Sequence, residues 1–234
     1  MNILIPMAGA GSRFEKAGYT FPKPLIEIHG KPMIQKVVEN LNLKGRYIFL
    51  VQKEHYDRYA LNYLLPLIAP GCEIVQVDQM TEGAACTTLL AKKFIDNDAP
   101  LITANSDQFI EFEEGWQHDL SCDNDGNILT FKATHPKWSF AKVEEDLVTE
   151  VAEKKPISDT ATVGVYHWKK GSDYVKYAEQ MISKNIRVNN EFYVCPVFNE
   201  AIQDGKYIGT IPVKKMWGLG TPEDLRTFLS DYKG

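Results

Sequence analysis

Short apolar runs alternate with stretches of helical spacing through the first half of the chain. Residues 3–7 ("ILIPM") form a strand-like run. Further on, Met33, Ile34, Val37, Val38 and Leu41 recur at the i, i+3, i+4 spacing of a buried helix face over residues 32–43. The same reading predicts a strand at 47–51, a helix over 55–68, a strand at 73–77, a helix over 82–94 and a strand at 100–104. The strands are short and apolar without alternation, as parallel strands covered on both faces are. The repeated βα pattern predicts a Rossmann-like α/β fold, a mostly parallel sheet with helices on both faces. Ligands of such sheets bind outside the carboxyl ends of the strands. The loops after Met7, Val77 and Ala104 are therefore the ones to search.

Beyond about residue 120 the rhythm changes. Residues 127–133, 141–143, 148–151 and 162–168 read as strands joined by tight turns, with "DNDGN" marking one turn. A helix over 173–184, another near 191–202, a strand at 207–212 and a final helix opening at Thr221-Pro222-Glu223-Asp224 complete the pattern. That opening has a Thr cap, a proline at the first helical position and acids in the first turn. No repeat, low-complexity tract or linker interrupts the chain. It is read as one domain over residues 1–234, the second half a smaller β-rich insertion packed on the sheet of the first.

Composition narrows the function classes. The 234 residues hold 44% apolar and 24% charged positions, ordinary for a globular protein, and the net charge of −5 gives no global basic footprint for nucleic acid or an anionic membrane. Any phosphate site must be local. The four cysteines, Cys72, Cys86, Cys122 and Cys195, are scattered without a C-x-x-C pair, so they read as free thiols of a reducing compartment. No apolar run reaches the length of a membrane span, and no leader pattern is visible. The expectation is a cytoplasmic protein.

The chemistry sits where strand 3–7 ends. Ala8 leads into Gly9-Ala10-Gly11-Ser12-Arg13, followed by Phe21-Pro22-Lys23-Pro24-Leu25 and Gly30-Lys31-Pro32-Met33-Ile34. Backbone N–H groups of a glycine loop can line up on a triphosphate. Arg13 brings a planar fork for phosphate oxygens, and Lys23, stiffened between two prolines, is a compact cation. These three blocks, in this order after an N-terminal strand, closely resemble the signature of the sugar-phosphate nucleotidylyltransferases, which join a sugar 1-phosphate to a nucleoside triphosphate and release pyrophosphate.

The resemblance implies a role for each block. Residues Ala8, Gly9, Ala10, Gly11 and Ser12 would cradle the triphosphate, with Arg13 and Lys23 as the catalytic cations. Glu82 and Gly83, in "MTEGAACTTLL", would face the nucleobase. Asp107, after "LITANS", matches the aspartate that holds Mg²⁺, while position 105, often acidic in relatives, is Asn. In "VAEKKPISD" Lys155, directly before Pro156, matches the lysine that grips the sugar phosphate, with the doubled Lys154-Lys155 leaving the register open. Gly164 would let a sugar approach the backbone, and Glu191 would bind sugar hydroxyls. Residues 1–118 would then be the nucleotide-binding half and 119–234 the sugar-binding half.

One block departs from the family pattern. Relatives carry W-x-D-x-G-T, whose aspartate is a second metal ligand, but this chain reads Met216-Trp217-Gly218-Leu219-Gly220-Thr221. The resemblance implies a nucleoside triphosphate and a sugar phosphate, or a related small-molecule phosphate, as partners, and Mg²⁺ as cofactor. It implies neither nucleic acid nor membrane, and leaves a homo-oligomer open. From its end at Gly234 the expectation is a protein lacking the acyltransferase or helical domains of longer relatives. Two other functions stay open: a glycosyltransferase of related fold using an NDP-sugar, and a non-catalytic NDP-sugar sensor, suggested by Gly218.

Overall fold

The computed structural model describes residues 1–120 and 123–233. Its centre is a nine-stranded sheet. Four parallel strands run in the order Glu73–Val77, Arg46–Gln52, Asn2–Pro6, Leu101–Ala104, and Thr160–Trp168 pairs antiparallel against the last of them. The other edge of Thr160–Trp168 carries Gly126–Lys132, which pairs in turn with Ile208–Pro212. The hairpin Ser139–Glu144 and Leu147–Glu153 joins through the Ala161–Phe140 pair. Strands from both halves of the chain thus share one sheet.

The parallel strands are mostly apolar, with residues 3–5 and 47–51 uninterrupted, because both faces are covered. Leu4, Ile48, Leu50 and Leu101 pack with Tyr174, Tyr177 and Phe198 of the helices Gly171–Ser183 and Val197–Gln203. Ile3, Ile5, Phe49 and Ile102 pack with Ile34, Val37 and Leu41 of the helix Met33–Leu41 on the opposite face. A satellite core of Phe14, Ile26, Ile28, Met33, Leu219, Leu225 and Phe228 joins the glycine loop to the last helix, Pro222–Asp231. Thr221 caps that helix as expected, its hydroxyl accepting the Asp224 N–H at 3.1 Å.

Several elements differ from the periodicity reading. The helix expected over 55–68 is two helices, Lys53–Arg58 and Leu61–Ile68, parted where Ala60 turns left-handed at φ 49°. The helix expected over 82–94 opens only at Ala84 and breaks after Leu89, resuming at Lys92–Ile95. The helix placed near 191–202 is Val197–Gln203, so Glu191 lies before it in a tight turn that bridges Val188. Four short strands among the described residues went unseen, Gln108–Glu111 with Lys215–Gly218 and Glu27–Ile28 with Lys31–Pro32, each pair antiparallel. Each is too short for alternation to register. Cys72, Cys86 and Cys195 are free thiols; Cys122 and Gly234 lie outside the described residues. Among the described residues no helix is long and apolar enough to cross a membrane.

Candidate active site

The carboxyl ends of three parallel strands open into one cleft of about 580 Å³, lined by Met7 to Phe14, Val77 and Asn105 to Asp107. A second hollow of about 280 Å³ adjoins it and shares Arg13, Lys23, Asp107 and Glu153.

The strand Asn2–Pro6 delivers the glycine loop, and Gly11 turns it left-handed at φ 64° into the short helix Ser12–Lys16. Among the described residues, none of the backbone N–H groups of residues 9–13 has an acceptor within the protein. The loop's carbonyls are occupied instead: Gln52 Nε2, at the end of the neighbouring strand, donates to Ala8 C=O and Gly9 C=O, both at 3.0 Å. A run of unpaired donors lining a cleft is an anion site in waiting.

Lys23 stands opposite the loop on a single helical turn, Lys23–Leu25, and its Nζ is 2.7 Å from Asp107 Oδ2. Both side chains are only partly exposed. Asp107 is pinned from behind, its carbonyl accepting the Leu219 N–H at 2.8 Å. Gly220 is the other support, since a Cβ there would lie 2.7 Å from Asp107 Oδ2. One carboxylate is an adequate protein contribution for Mg²⁺ when phosphate oxygens and waters complete the shell, and Asp107 on this cleft fits that role. No group of three or more His, Cys, Asp or Glu among the described residues could cage an ion alone.

The remaining predicted residues are placed unevenly. Glu191 and Gly83 line the larger hollow and Gly164 the smaller. Lys154 and Lys155 are both exposed and line neither hollow; Lys154 turns left-handed at φ 55° and donates to the hydroxyl of Tyr193 on the cleft wall. Glu82 also points elsewhere, its carboxylate 2.7 Å from Arg187 Nη2. The two glycines answer to protein contacts. A Cβ on Gly83 would lie 2.5 Å from the Phe192 backbone N and O, and one on Gly164 would lie 2.1 Å from Asn105 Nδ2. Gly164 bulges at φ 76° so that its carbonyl can accept the Asn105 N–H at 2.9 Å.

Motif spacing missed a polar cluster on the floor between the hollows, made of Ser139, Glu153, Tyr166 and Cys195. Burial raises the Glu153 carboxyl above the usual carboxylate range, against the lowering effect of the Ser139 hydroxyl that donates to it. Burial likewise pushes up the Cys195 thiol and the Tyr166 hydroxyl. Glu153 stands beside Lys154 in the same segment, so its neighbourhood was the available signal. Lys137 was not foreseen either. Its Nζ lies 2.9 Å from Asp224 Oδ1 and 4.5 Å from the centre of the Trp138 ring, all three on the smaller hollow. The Asp224 carboxylate packs against Gly218, whose Cβ would lie 3.3 Å from Asp224 Oδ2.

Comparison with known families decides what carries this geometry. The model for the nucleotidyl transferase family matches residues 3–233. The chain belongs to this family. Among solved structures, it is similar to the nucleoside-diphosphate-sugar pyrophosphorylase from Vibrio cholerae RC9, 29% identical with a TM-score of 0.83, covering 97% of this chain and 99% of that one. A UDP-glucose pyrophosphorylase complexed with UDP-glucose shares the fold at 18% identity and a TM-score of 0.75, covering 99% of this chain and 97% of the other. Among curated proteins it resembles a probable mannose-1-phosphate guanylyltransferase of Oryza sativa subsp. japonica, 29% identical over 71% of this chain and 49% of the relative. It also resembles the bifunctional protein GlmU of Methanocaldococcus jannaschii, 24% identical over 96% of this chain and 52% of the relative. The chain therefore spans about half the length of these curated relatives.

Proposed function

We propose that this nucleotidyl transferase joins a nucleoside triphosphate to a sugar 1-phosphate, or to a related polyol phosphate, giving an NDP-sugar and pyrophosphate. The observation that carries the reading is the glycine loop. Five consecutive backbone donors without acceptors face the cleft that also holds Arg13 and Lys23. The names of the relatives support the same class of substrates.

On this reading the N–H groups of residues 9–13 hold the β- and γ-phosphates, and Arg13 neutralises the pyrophosphate as it leaves. Lys23 stabilises charge on the α-phosphate while the acceptor's phosphate oxygen attacks the α-phosphorus. The bond that forms is oxygen to α-phosphorus, and the bond that breaks is α-phosphorus to the bridging oxygen of pyrophosphate. No side-chain nucleophile is needed, so the work is positioning and electrostatics. Asp107 would hold Mg²⁺ with the phosphates, the ion adding charge neutralisation at the reacting phosphorus. Lys23 must leave Asp107 for the phosphate as this happens. Lys154, Glu153 and Glu191 surround the acceptor, and we place the reaction in the cytoplasm.

The test is pyrophosphate release over a matrix of four nucleoside triphosphates and a panel of sugar and polyol phosphates, with and without Mg²⁺. Release for one pair, lost in excess chelator and in Asp107→Ala, is expected. A folded protein that releases none with any pair, yet binds or hydrolyses an NDP-sugar, overturns the reading in favour of a sensor or a glycosyltransferase.

A further inference from the structure

The turn that carries Glu191 and Tyr193 is bolted to the loop that begins the helix Ala84–Leu89. Arg187 is the bolt. Its Nη2 lies 2.7 Å from Glu82 Oε2, its Nε 2.6 Å from Asn185 Oδ1 and its Nη1 3.1 Å from the Asn190 carbonyl. The guanidinium carbon stands 4.0 Å from the centre of the Phe192 ring. Two backbone bonds run alongside: Phe192 N–H to Glu82 C=O at 2.8 Å, and Ala85 N–H to Phe192 C=O at 2.9 Å. Gly83 has no Cβ because the Phe192 backbone occupies that space.

The turn needs this support. Asn185, Asn189 and Asn190 all sit left-handed, at φ 55°, 48° and 65°, a region that non-glycine residues enter at a cost. Val188 and Glu191 close it by exchanging backbone bonds at 3.0 and 2.9 Å. An exposed ion pair alone is worth little. Arg187 does more, because one planar fork addresses an acid on one loop and two acceptors within the other, while its face covers an aromatic ring.

The loops it joins belong to different halves of the cleft. Thr81, Gly83 and Ala84 lie on the wall after the strand Glu73–Val77, and Glu191 and Tyr193 on the wall formed by the later half of the chain. We propose that Arg187 is a positioning residue that couples the two substrate subsites. A nucleoside triphosphate seated against residues 81–84 steadies the turn 185–193 through Arg187, and this turn then presents Glu191 and Tyr193 to the acceptor. The inference rests on the proposed function and adds to it the residue that links the two subsites. The coupling is reciprocal, so acceptor must also tighten the triphosphate.

Amide hydrogen exchange on the full chain tests it, with each of the four nucleoside triphosphates plus Mg²⁺ as probe. In the unmodified protein, a triphosphate that protects residues 9–13 is expected also to slow exchange at Val188, Glu191 and Phe192, by about tenfold or more, within the range of ordinary coupling. In Arg187→Ala the protection at 9–13 persists and the slowing at Val188 and Glu191 is lost. Glu82→Gln, which removes only the surface acid, is expected to lose part of it. Arg187→Lys, which keeps a charge but not the fork, should fall between alanine and the native residue. In turnover, Arg187→Ala raises the KM for the acceptor phosphate about tenfold and, at saturating acceptor, the KM for the triphosphate to a like extent, while the Kd of the triphosphate without acceptor stays within about threefold. Protection at 9–13 that never reaches residues 188–192, or that still reaches them in Arg187→Ala, overturns the coupling alone. Absence of protection at 9–13 with every triphosphate overturns the functional reading and the coupling with it.

Discussion

Replacing Gly83 by alanine tests how tightly the two walls of the cleft are joined. Gly83 sits at φ 127° and ψ 173°, a conformation open to glycine and strained for any residue with a Cβ. Such strain costs about 1–3 kcal/mol. The new methyl would also lie 2.5 Å from both the N and O of Phe192, which are backbone atoms and cannot swing aside. The two strands of chain must separate, breaking the Phe192–Glu82 and Ala85–Phe192 hydrogen bonds, worth about 1 kcal/mol each. The expected loss is about 3–5 kcal/mol, or about 10 °C in Tm for a chain of this size. Gly9→Ala is the control, since a Cβ there meets nothing within 4 Å and the backbone is not left-handed. It should stay within about 0.5 kcal/mol of the native protein. Urea denaturation measures both, and amide exchange at Ala85 and Phe192 reports whether the two bonds have opened. If Gly83→Ala unfolds within about 1 kcal/mol of the native protein with these amides still protected, the packing argument is wrong.

Three further outcomes are expected. Lys23→Ala and Arg13→Ala should each lower kcat/KM by about 10²-fold or more while leaving the urea midpoint near its native value, because each removes charge stabilisation from the transition state; near-normal turnover in a folded variant refutes the assigned roles. Gly218→Asp places a carboxylate against Asp224, 3.3 Å from the new Cβ, so like-charge repulsion should prevent any tightening of Mg²⁺ dependence unless Asp224→Asn is made with it. A metal titration in which the single variant alone gains affinity contradicts this. The buried His167 has its pKa lowered by burial to about 4 from 6.5, so the folded state binds fewer protons than the unfolded state between those values and stability must rise with pH across them. Acidification through this window should cost on the order of 3 kcal/mol, and denaturation midpoints that decline no less steeply in His167→Gln would show that another group is responsible.

The local rules of the chain were enough to place the βα rhythm, the glycine loop and the last helix. Apolar period, turn residues and the Thr221 cap all act within a few residues, so they can be read from order alone. Asp107 was legible for the same reason, since it directly follows a strand and its loop. What order could not reveal was which side chains meet across the cleft. Of two adjacent lysines, Lys154 donates to the Tyr193 hydroxyl, 39 residues away in sequence. Glu82 turns to Arg187, 105 residues away in sequence, and no spacing rule spans that distance. Gly83 and Gly164 line the hollows, and the space a Cβ would take at each is filled by a remote part of the protein, the Phe192 backbone and the Asn105 side chain. Helix breaks at Ala60 and after Leu89 escaped the periodicity because tertiary packing outweighs the weak preference of a few residues. Sequence alone therefore determined the βα half of the sheet, its strand ends and the glycine loop. Only the tertiary structure decided the walls of the cleft, because those contacts join residues far apart in the chain and depend on backbone turns that single residues do not dictate.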